Sequence, residues 1–222
     1  MSNSDNFFES TTYKDGIFKG LLPEYYPQKY QDYINEEVAL LKSKTKGASR
    51  VLETGIGIGR LIPELAPQVG ELIGIDNSQF MLGKSKSVAQ NYSNVQIIEG
   101  EIEHLSDTYP EDYFDFSLCV WNTFGNITDQ VSALKELAKV TSKSVFITVF
   151  HKGNIKERIE FYKNVDVEVI DIDRENEIFY LNGYKSMTFN IEDIQKLAKQ
   201  SGLKVVDSKI LGGVILWVEL SK

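Results

Sequence analysis

The sequence predicts a single α/β domain. Its frame is a doubly wound, mostly parallel seven-stranded sheet with a C-terminal antiparallel strand pair and a small inserted cap. Three observations predict this. Between residues 50 and 150, short apolar runs alternate with segments of helical spacing, the pattern of strands joined by right-handed helical crossovers. The runs are nearly continuous in apolar residues, as strands buried on both faces must be. Near the C-terminus two further runs flank Gly212-Gly213, a connection short enough to require an antiparallel pair.

In chain order, residues 1–47 read as an N-terminal helical segment. From Glu24 to Leu41 the positions Tyr26, Tyr30, Tyr33, Ile34, Val38 and Leu41 recur at three- and four-residue spacing, one face of an amphipathic helix. Residues 48–150 form the core. Its strands are read at Arg50 to Glu53, Leu72 to Asp76, Val95 to Ile98, Phe114 to Trp121 and Ser144 to Phe150. Its helices are read at Arg60 to Gln68, at Gln79 to Asn91 behind a Ser78 cap, and at Asp129 to Val140. Residues 151–189 read as a cap of one short helix and antiparallel strands. There Val165, Val167 and Val169 alternate with Asp166 and Glu168, the signature of a half-exposed strand. A turn at Asp173-Arg174-Glu175-Asn176 leads into strands at Ile178 to Leu181 and Ser186 to Phe189. Residues 190–222 close the domain with a helix capped by Asn190 and ended by Gly202, then the final strand pair.

Composition narrows the function. The 222 residues carry 24 Lys and Arg against 32 Asp and Glu, a formal charge of −8. An acidic chain without a basic stripe is poorly suited to nucleic acid. One cysteine, Cys119, and two histidines, His104 and His151, exclude the usual Cys/His zinc site, so no metal is expected. No apolar stretch reaches the ~18 residues that span a bilayer, and the polar start lacks a signal core. A cytoplasmic protein with no membrane partner is expected, as a monomer or homodimer.

The informative segment is Glu53-Thr54-Gly55-Ile56-Gly57-Ile58-Gly59-Arg60. Glycines at a strand–helix turn remove Cβ atoms where backbone must approach a ligand. The following helix offers a positive dipole end. Asp76 closes the next strand, where an acid can accept hydrogen bonds from ribose hydroxyls. The nicotinamide fingerprint is G-x-G-x-x-G. Here the third glycine comes one position early and Arg60 stands in its place.

On these residues the chain resembles the class I S-adenosylmethionine-dependent methyltransferases, in the branch that modifies small molecules. The resemblance runs from about Val51 to Leu220. It rests on Glu53–Gly59, Asp76, Gly100-Glu101-Ile102-Glu103 and Trp121-Asn122-Thr123-Phe124, each after its own strand. It implies a Rossmann-like fold and S-adenosylmethionine as cofactor. The loop of Glu53, Thr54, Gly55, Ile56, Gly57 and Gly59 would lie under the homocysteine part, with Glu53 orienting the loop and the ammonium. Asp76 would bind the ribose, with Asn77, Ser78 and Met81 near ribose and adenine. Gly100, Glu101 and Ile102 would face the adenine. Glu101 stands where Asp is usual. Val120 or Trp121 would offer a carbonyl to the ammonium. The N/D-P-P-Y/F tetrad of base- and glutamine-modifying relatives is absent.

The reaction so implied is in-line displacement onto a small-molecule acceptor, releasing S-adenosylhomocysteine. Alignment of the reactants supplies much of the catalysis, so a base is optional. His151, directly after the fifth strand, is the candidate base. The expected acceptor lining is Tyr13, Phe18, Tyr25 and Tyr26 on one side, Trp121 and Asn122 below, and Tyr180 and Tyr184 above. Aromatic faces of this kind attract cations, which makes an amine acceptor conceivable. The alternatives are a nicotinamide-dependent oxidoreductase, disfavoured by the glycine spacing and the closing strand pair, and a non-catalytic cofactor-binding module.

Overall fold

In the computed structural model, residues 19–181 and 183–222 are described. A short 3-10 turn at Pro23–Tyr25 precedes α1, Gln28–Thr45. Pro27, which cannot donate, sets the first helical turn, so α1 starts at Gln28, four residues after the Glu24 from which its pattern is read. Its inward face is Tyr30, Tyr33, Ile34, Glu37 and Leu41, all buried. The core follows as β1 (Arg50–Thr54), α2 (Ile62–Leu65), β2 (Glu71–Asp76), α3 (Gln79–Ala89), β3 (Val95–Glu99) and α4 (Leu105–Thr108). It continues through β4 (Phe114–Cys119), α5 (Thr123–Asn126), α6 (Gln130–Val140) and β5 (Thr141–His151). Next come α7 (Ile155–Asn164), β6 (Val169–Asp173), β7 (Ile178–Leu181), β8 (Tyr184–Ser186) and β9 (Thr188–Phe189). The chain ends with α8 (Ile191–Gln200), β10 (Lys204–Leu211) and β11 (Ile215–Ser221).

The main sheet has the order β10-β11-β5-β4-β1-β2-β3, with β9 added beside β5. Strands β1 to β5 are parallel, and β11 runs antiparallel to both β5 and β10. The doubly wound sheet and its closing hairpin are as expected, with β9 as an eighth strand of two residues. One apolar layer packs α1, α2 and α7 against the sheet. The other packs α6 and α8 against its opposite face. The parallel register sets the carboxyl ends of β1, β2 and β3 side by side: Thr54 lies opposite Ile75, and Asp76 opposite Glu99.

The cap departs from expectation at two points. Val165 and Val167 are not in a strand. Helix α7 runs to Asn164, and Asp166 takes the left-handed conformation (φ 55°) beyond it. The Val167 N–H then donates to Tyr162 O at 2.9 Å and the Asp166 N–H to Lys163 O at 3.3 Å. This is a helix-ending motif that usually employs glycine. Lys19 donates to Asp166 at 2.5 Å and holds the turn. The alternation of valines thus reflects a helix end followed by a strand starting at Val169. Second, the run Ser186 to Phe189 is divided. Ser186 pairs with Phe179 inside the three-stranded sheet β6-β7-β8, whereas Thr188 and Phe189 pair with Phe150 and His151 of β5.

Candidate active site

The glycine loop lies over the end of β1. Gly55, Gly57 and Gly59 all have positive φ, at 68°, 55° and 81°. A Cβ on Gly55 would stand 2.5 Å from the Thr123 side chain, so the loop packs directly on the start of α5. A Cβ on Gly57 would meet nothing within 4 Å. Gly57 therefore leaves open a space that its own side chain would fill. Asp76 accepts from the Gly57 N–H at 2.9 Å through one oxygen and from the Ser78 N–H at 3.0 Å through the other. Ser78 in turn caps α3 by accepting from the Met81 N–H.

Behind the loop lies a buried charge network. Glu53 is 3% exposed, and its Oε2 has no hydrogen-bond partner. Burial pushes the Glu53 carboxyl up to about 8, with Arg60 working against the rise and Glu37 adding to it. Arg60 donates from Nη2 to Glu37 at 2.5 Å, and its buried Nη1 has no partner. Glu37, fully buried on α1, also accepts from the Tyr33 hydroxyl at 2.5 Å and from the Thr148 hydroxyl at 2.8 Å. Two buried polar atoms of opposite character, one acceptor and one donor, thus belong to residues that line the same cavity beside the glycine loop.

At the end of β4, Trp121 and Asn122 both have positive φ, at 52° and 58°. Such paired non-glycine strain persists only where the surroundings enforce it. Thr148 of β5 enforces it here: its hydroxyl accepts from the Trp121 N–H at 2.8 Å, and its carbonyl accepts from the Asn122 N–H at 2.9 Å. The Asn122 amide accepts from the Phe150 N–H at 3.1 Å and donates to the Ser186 hydroxyl at 2.8 Å. Trp121 stacks with Tyr26 and Tyr33, ring centroids 5.1 and 5.3 Å apart. The Val120 carbonyl already accepts from the Thr123 N–H at 3.2 Å and its hydroxyl at 2.9 Å.

These groups surround a cavity of about 810 Å³, within the range of ligand sites. One wall carries Glu53, Thr54, Gly55, Ile56, Gly57 and Arg60. Asp76, Asn77 and Met81 follow from β2 and α3, and Gly100, Glu101 and Ile102 from the turn after β3. Val120, Trp121 and Asn122 form its floor, and Tyr26 and Tyr184 line its far end. Gly59 and Ser78 stand behind the wall. A Cβ on Gly59 would lie 2.6 Å from the Ile62 side chain, so that glycine serves packing against α2.

Several expected residues stand apart. His151 does not line the cavity; its ring Nδ1 lies 3.2 Å from the Asn154 amide. Tyr25 and Tyr180 are 41% and 40% exposed and do not line it. Tyr25 carries the Lys19 ammonium over its ring at 5.1 Å. Tyr13 and Phe18 lie outside the described residues. Reading from sequence passed over Glu37, Arg60 and Thr148 as site residues. The signal for Glu37 was present: an acid in register with Tyr30, Tyr33, Ile34 and Leu41 sits on the buried face of α1.

Residues 51–144 match the family model described as a methyltransferase domain. The uncharacterized methyltransferase YcgJ of Bacillus subtilis is 30% identical over 112 residues, covering 49% of this chain and 43% of that protein. The demethylmenaquinone methyltransferase of Bacillus licheniformis is 31% identical over 105 residues, covering 45% and 43%. The chain thus spans less than half the length of these curated relatives. Magnesium protoporphyrin IX methyltransferase from Synechocystis, solved with bound S-adenosylhomocysteine, superposes with a TM-score of 0.68 at 15% identity, covering 97% of this chain and 96% of that one. The PH0226 protein of Pyrococcus horikoshii gives 0.70 at 18% identity, covering 92% and 97%. At these identities the structural likeness speaks to the fold.

Proposed function

We propose that the chain, whose residues 51–144 match a methyltransferase domain, is a class I S-adenosylmethionine-dependent methyltransferase and that it methylates a small-molecule acceptor by in-line displacement, releasing S-adenosylhomocysteine. The observation that supports this reading is that Asp76, Glu53 and the open Gly57 turn line one cavity. On this reading Asp76 is the acid that would face the ribose, and Glu53, whose Oε2 has no hydrogen-bond partner, the acid that would face the ammonium. The chemistry supplied with the cofactor is a methyl carbon already activated on a sulfonium.

The chain's own residues supply binding and alignment. Glu53 Oε2 accepts from the ammonium, and Arg60 Nη1 donates to the carboxylate of the same amino-acid end. Asp76 accepts from the ribose hydroxyls, while Asn77 and Met81 border the ribose and adenine. Glu101 and the Ile102 N–H read the adenine edge. Because Thr123 occupies the Val120 carbonyl, Trp121 is the better carbonyl for the ammonium. Tyr26, Trp121, Asn122 and Tyr184 border the acceptor. No base is assigned, since His151 stands outside the cavity; an acceptor with a lone pair available near neutrality fits such a site. The whole chain acts as one methyltransferase domain, with residues 151–189 shaping the acceptor end. Among the described residues, no helix is long and apolar enough to cross a membrane.

The test is a thermal-shift panel with S-adenosylmethionine, S-adenosylhomocysteine, NAD and NADP, followed by an acceptor screen read as S-adenosylhomocysteine formed. A shift with the two adenosyl-sulfur ligands alone supports the reading. A shift with NAD alone overturns it. Ligand at 100 times its Kd stabilises the native state by about 2.7 kcal/mol, a shift of a few degrees at this chain length.

A further inference from the structure

The two ends of the cavity differ in charge. The cofactor end carries Glu53, Arg60, Asp76, Glu101 and Glu103. The cap end is lined by Phe150, Phe161, Tyr162, Val165, Val167 and Tyr184, with no carboxylate among them. Immediately behind that lining lies Arg158 of α7, 1% exposed. Its guanidinium sits over the rings of Phe150 and Phe179, 4.0 and 4.2 Å from their centroids. Nη2 donates to the Tyr162 hydroxyl and to the Ser186 carbonyl, both at 3.0 Å. Nε and Nη1 are buried with no partner. Among the described residues, no carboxylate pairs with this cation.

A buried guanidinium without a counter-ion is costly, and ring faces offset only part of that cost. The arrangement also polarises Tyr162. Its oxygen accepts from Arg158, which leaves its own O–H proton to be donated elsewhere, and Tyr162 lines the cavity. The Tyr30 hydroxyl on α1 is likewise buried with no partner. Burial raises its pKa, and the nearby Arg158 charge opposes that rise.

We propose that the methyl acceptor carries an anionic oxygen, as a carboxylate or phosphate, and that Tyr162 binds it by hydrogen bond with Arg158 supplying the positive charge behind. Tyr162 is the contact and Arg158 the positioning residue. The oxyanion completes a site whose cation has no carboxylate partner among the described residues, and it draws the acceptor to the end of the cavity away from the carboxylates. The proposal rests on the methyltransferase reading for the identity of the bound molecule, but not for the anion site itself.

The experiment is calorimetric titration of the full chain, with and without saturating S-adenosylhomocysteine. The probes are 4-hydroxybenzoate and phenyl phosphate against their uncharged counterparts 4-hydroxybenzamide and phenol. The wild type is expected to favour the anionic member of each pair by about tenfold, the scale of one charge-assisted hydrogen bond. Y162F and R158M are each expected to reduce that preference to within about twofold, while the affinity for S-adenosylhomocysteine stays within about twofold. If R158M does not fold, Y162F carries the test, because it removes one hydroxyl and keeps the ring. Equal affinity for charged and uncharged probes in the wild type overturns the proposal, as does a preference that survives in Y162F. Failure of S-adenosylhomocysteine to bind would instead count against the methyltransferase reading, and the titrations without it still decide the anion site.

Discussion

At the scale of single residues, the site is organised by an imbalance: one cation, Arg60, serves two buried acids. Glu37 takes the close ion pair, and Glu53 is left with an unfilled oxygen. The consequence is pH-dependent. Glu53 sits at about 8 in the folded protein, against the ordinary value of 4.5. Between those values the native state holds a proton that the unfolded chain has released. The Glu53 contribution is therefore fully present below about 4.5 and is lost as pH rises through 8. Unfolding stability measured from pH 5 to 9 without ligand should fall with this contribution in the wild type, and E53Q should flatten the fall. An equal slope in both proteins would show that Glu53 is ionised throughout. Binding of S-adenosylhomocysteine, whose ammonium favours ionised Glu53, should release protons at pH 6.5. Calorimetry in buffers of different ionisation heat would read that release, and E53Q should remove it. At Glu37 the direction is simpler. E37Q leaves the half-buried Arg60 without its close ion pair and should cost about 1.5–3 kcal/mol in chemical denaturation. A loss below about 1 kcal/mol would mean that the Tyr33 and Thr148 bonds, and not the charge, hold α1 to the sheet.

At the scale of elements, the glycine loop separates folding from binding. Gly55 needs its left-handed conformation and also the absence of a Cβ beside Thr123, whereas Gly57 needs only the conformation. G57A should therefore fold with a loss of about 1–2 kcal/mol and still bind S-adenosylhomocysteine at least tenfold more weakly, because the added methyl enters the open space. A wild-type affinity in G57A would remove the loop from the site. The same elements explain what was legible in the sequence. Strands β1 to β5 announce themselves because burial on both faces demands unbroken apolar runs, and the ligand-facing residues follow at their carboxyl ends. The cap was less legible. Val165 and Val167 face the cavity from a helix end, yet their spacing in sequence is that of a strand. The break between β8 and β9 is set by the Met187 N–H donating to the Gly125 carbonyl at 3.0 Å, a contact made across 62 residues that no local pattern reports. The short helix α4 has four residues, too few for a period to show.

At the scale of the molecule, cofactor core and cap are one packed unit. Phe161, Tyr162, Val165 and Phe179 belong to the same apolar cluster as Tyr26, Val51 and Leu118. Asn122 ties the end of β4 to β5 on one side and to β8 on the other. N122A strands the buried Phe150 N–H and the Ser186 hydroxyl, and should cost about 1–3 kcal/mol for each group left unsatisfied. Retention of wild-type stability would mean that the cap is held by its rings alone. The distribution of roles by distance also explains which site residues reading from sequence could find. Gly55, Gly57, Asp76 and Glu101 lie next to strand ends, where topology alone places a ligand. Glu37, Thr148 and Arg158 acquire their roles only when α1, β5 and α7 meet, and His151, placed next to a strand end, turns away to Asn154. The central claim, that the strand ends and glycine loop hold S-adenosylmethionine, is tested most directly by titrating S-adenosylhomocysteine into the wild type and D76A. The account predicts one equivalent bound by the wild type and at least tenfold weaker binding by D76A, which still unfolds cooperatively at a lowered midpoint because the Gly57 and Ser78 N–H groups lose their acceptor. Equal affinity in the two proteins, or no binding to the wild type, would contradict it.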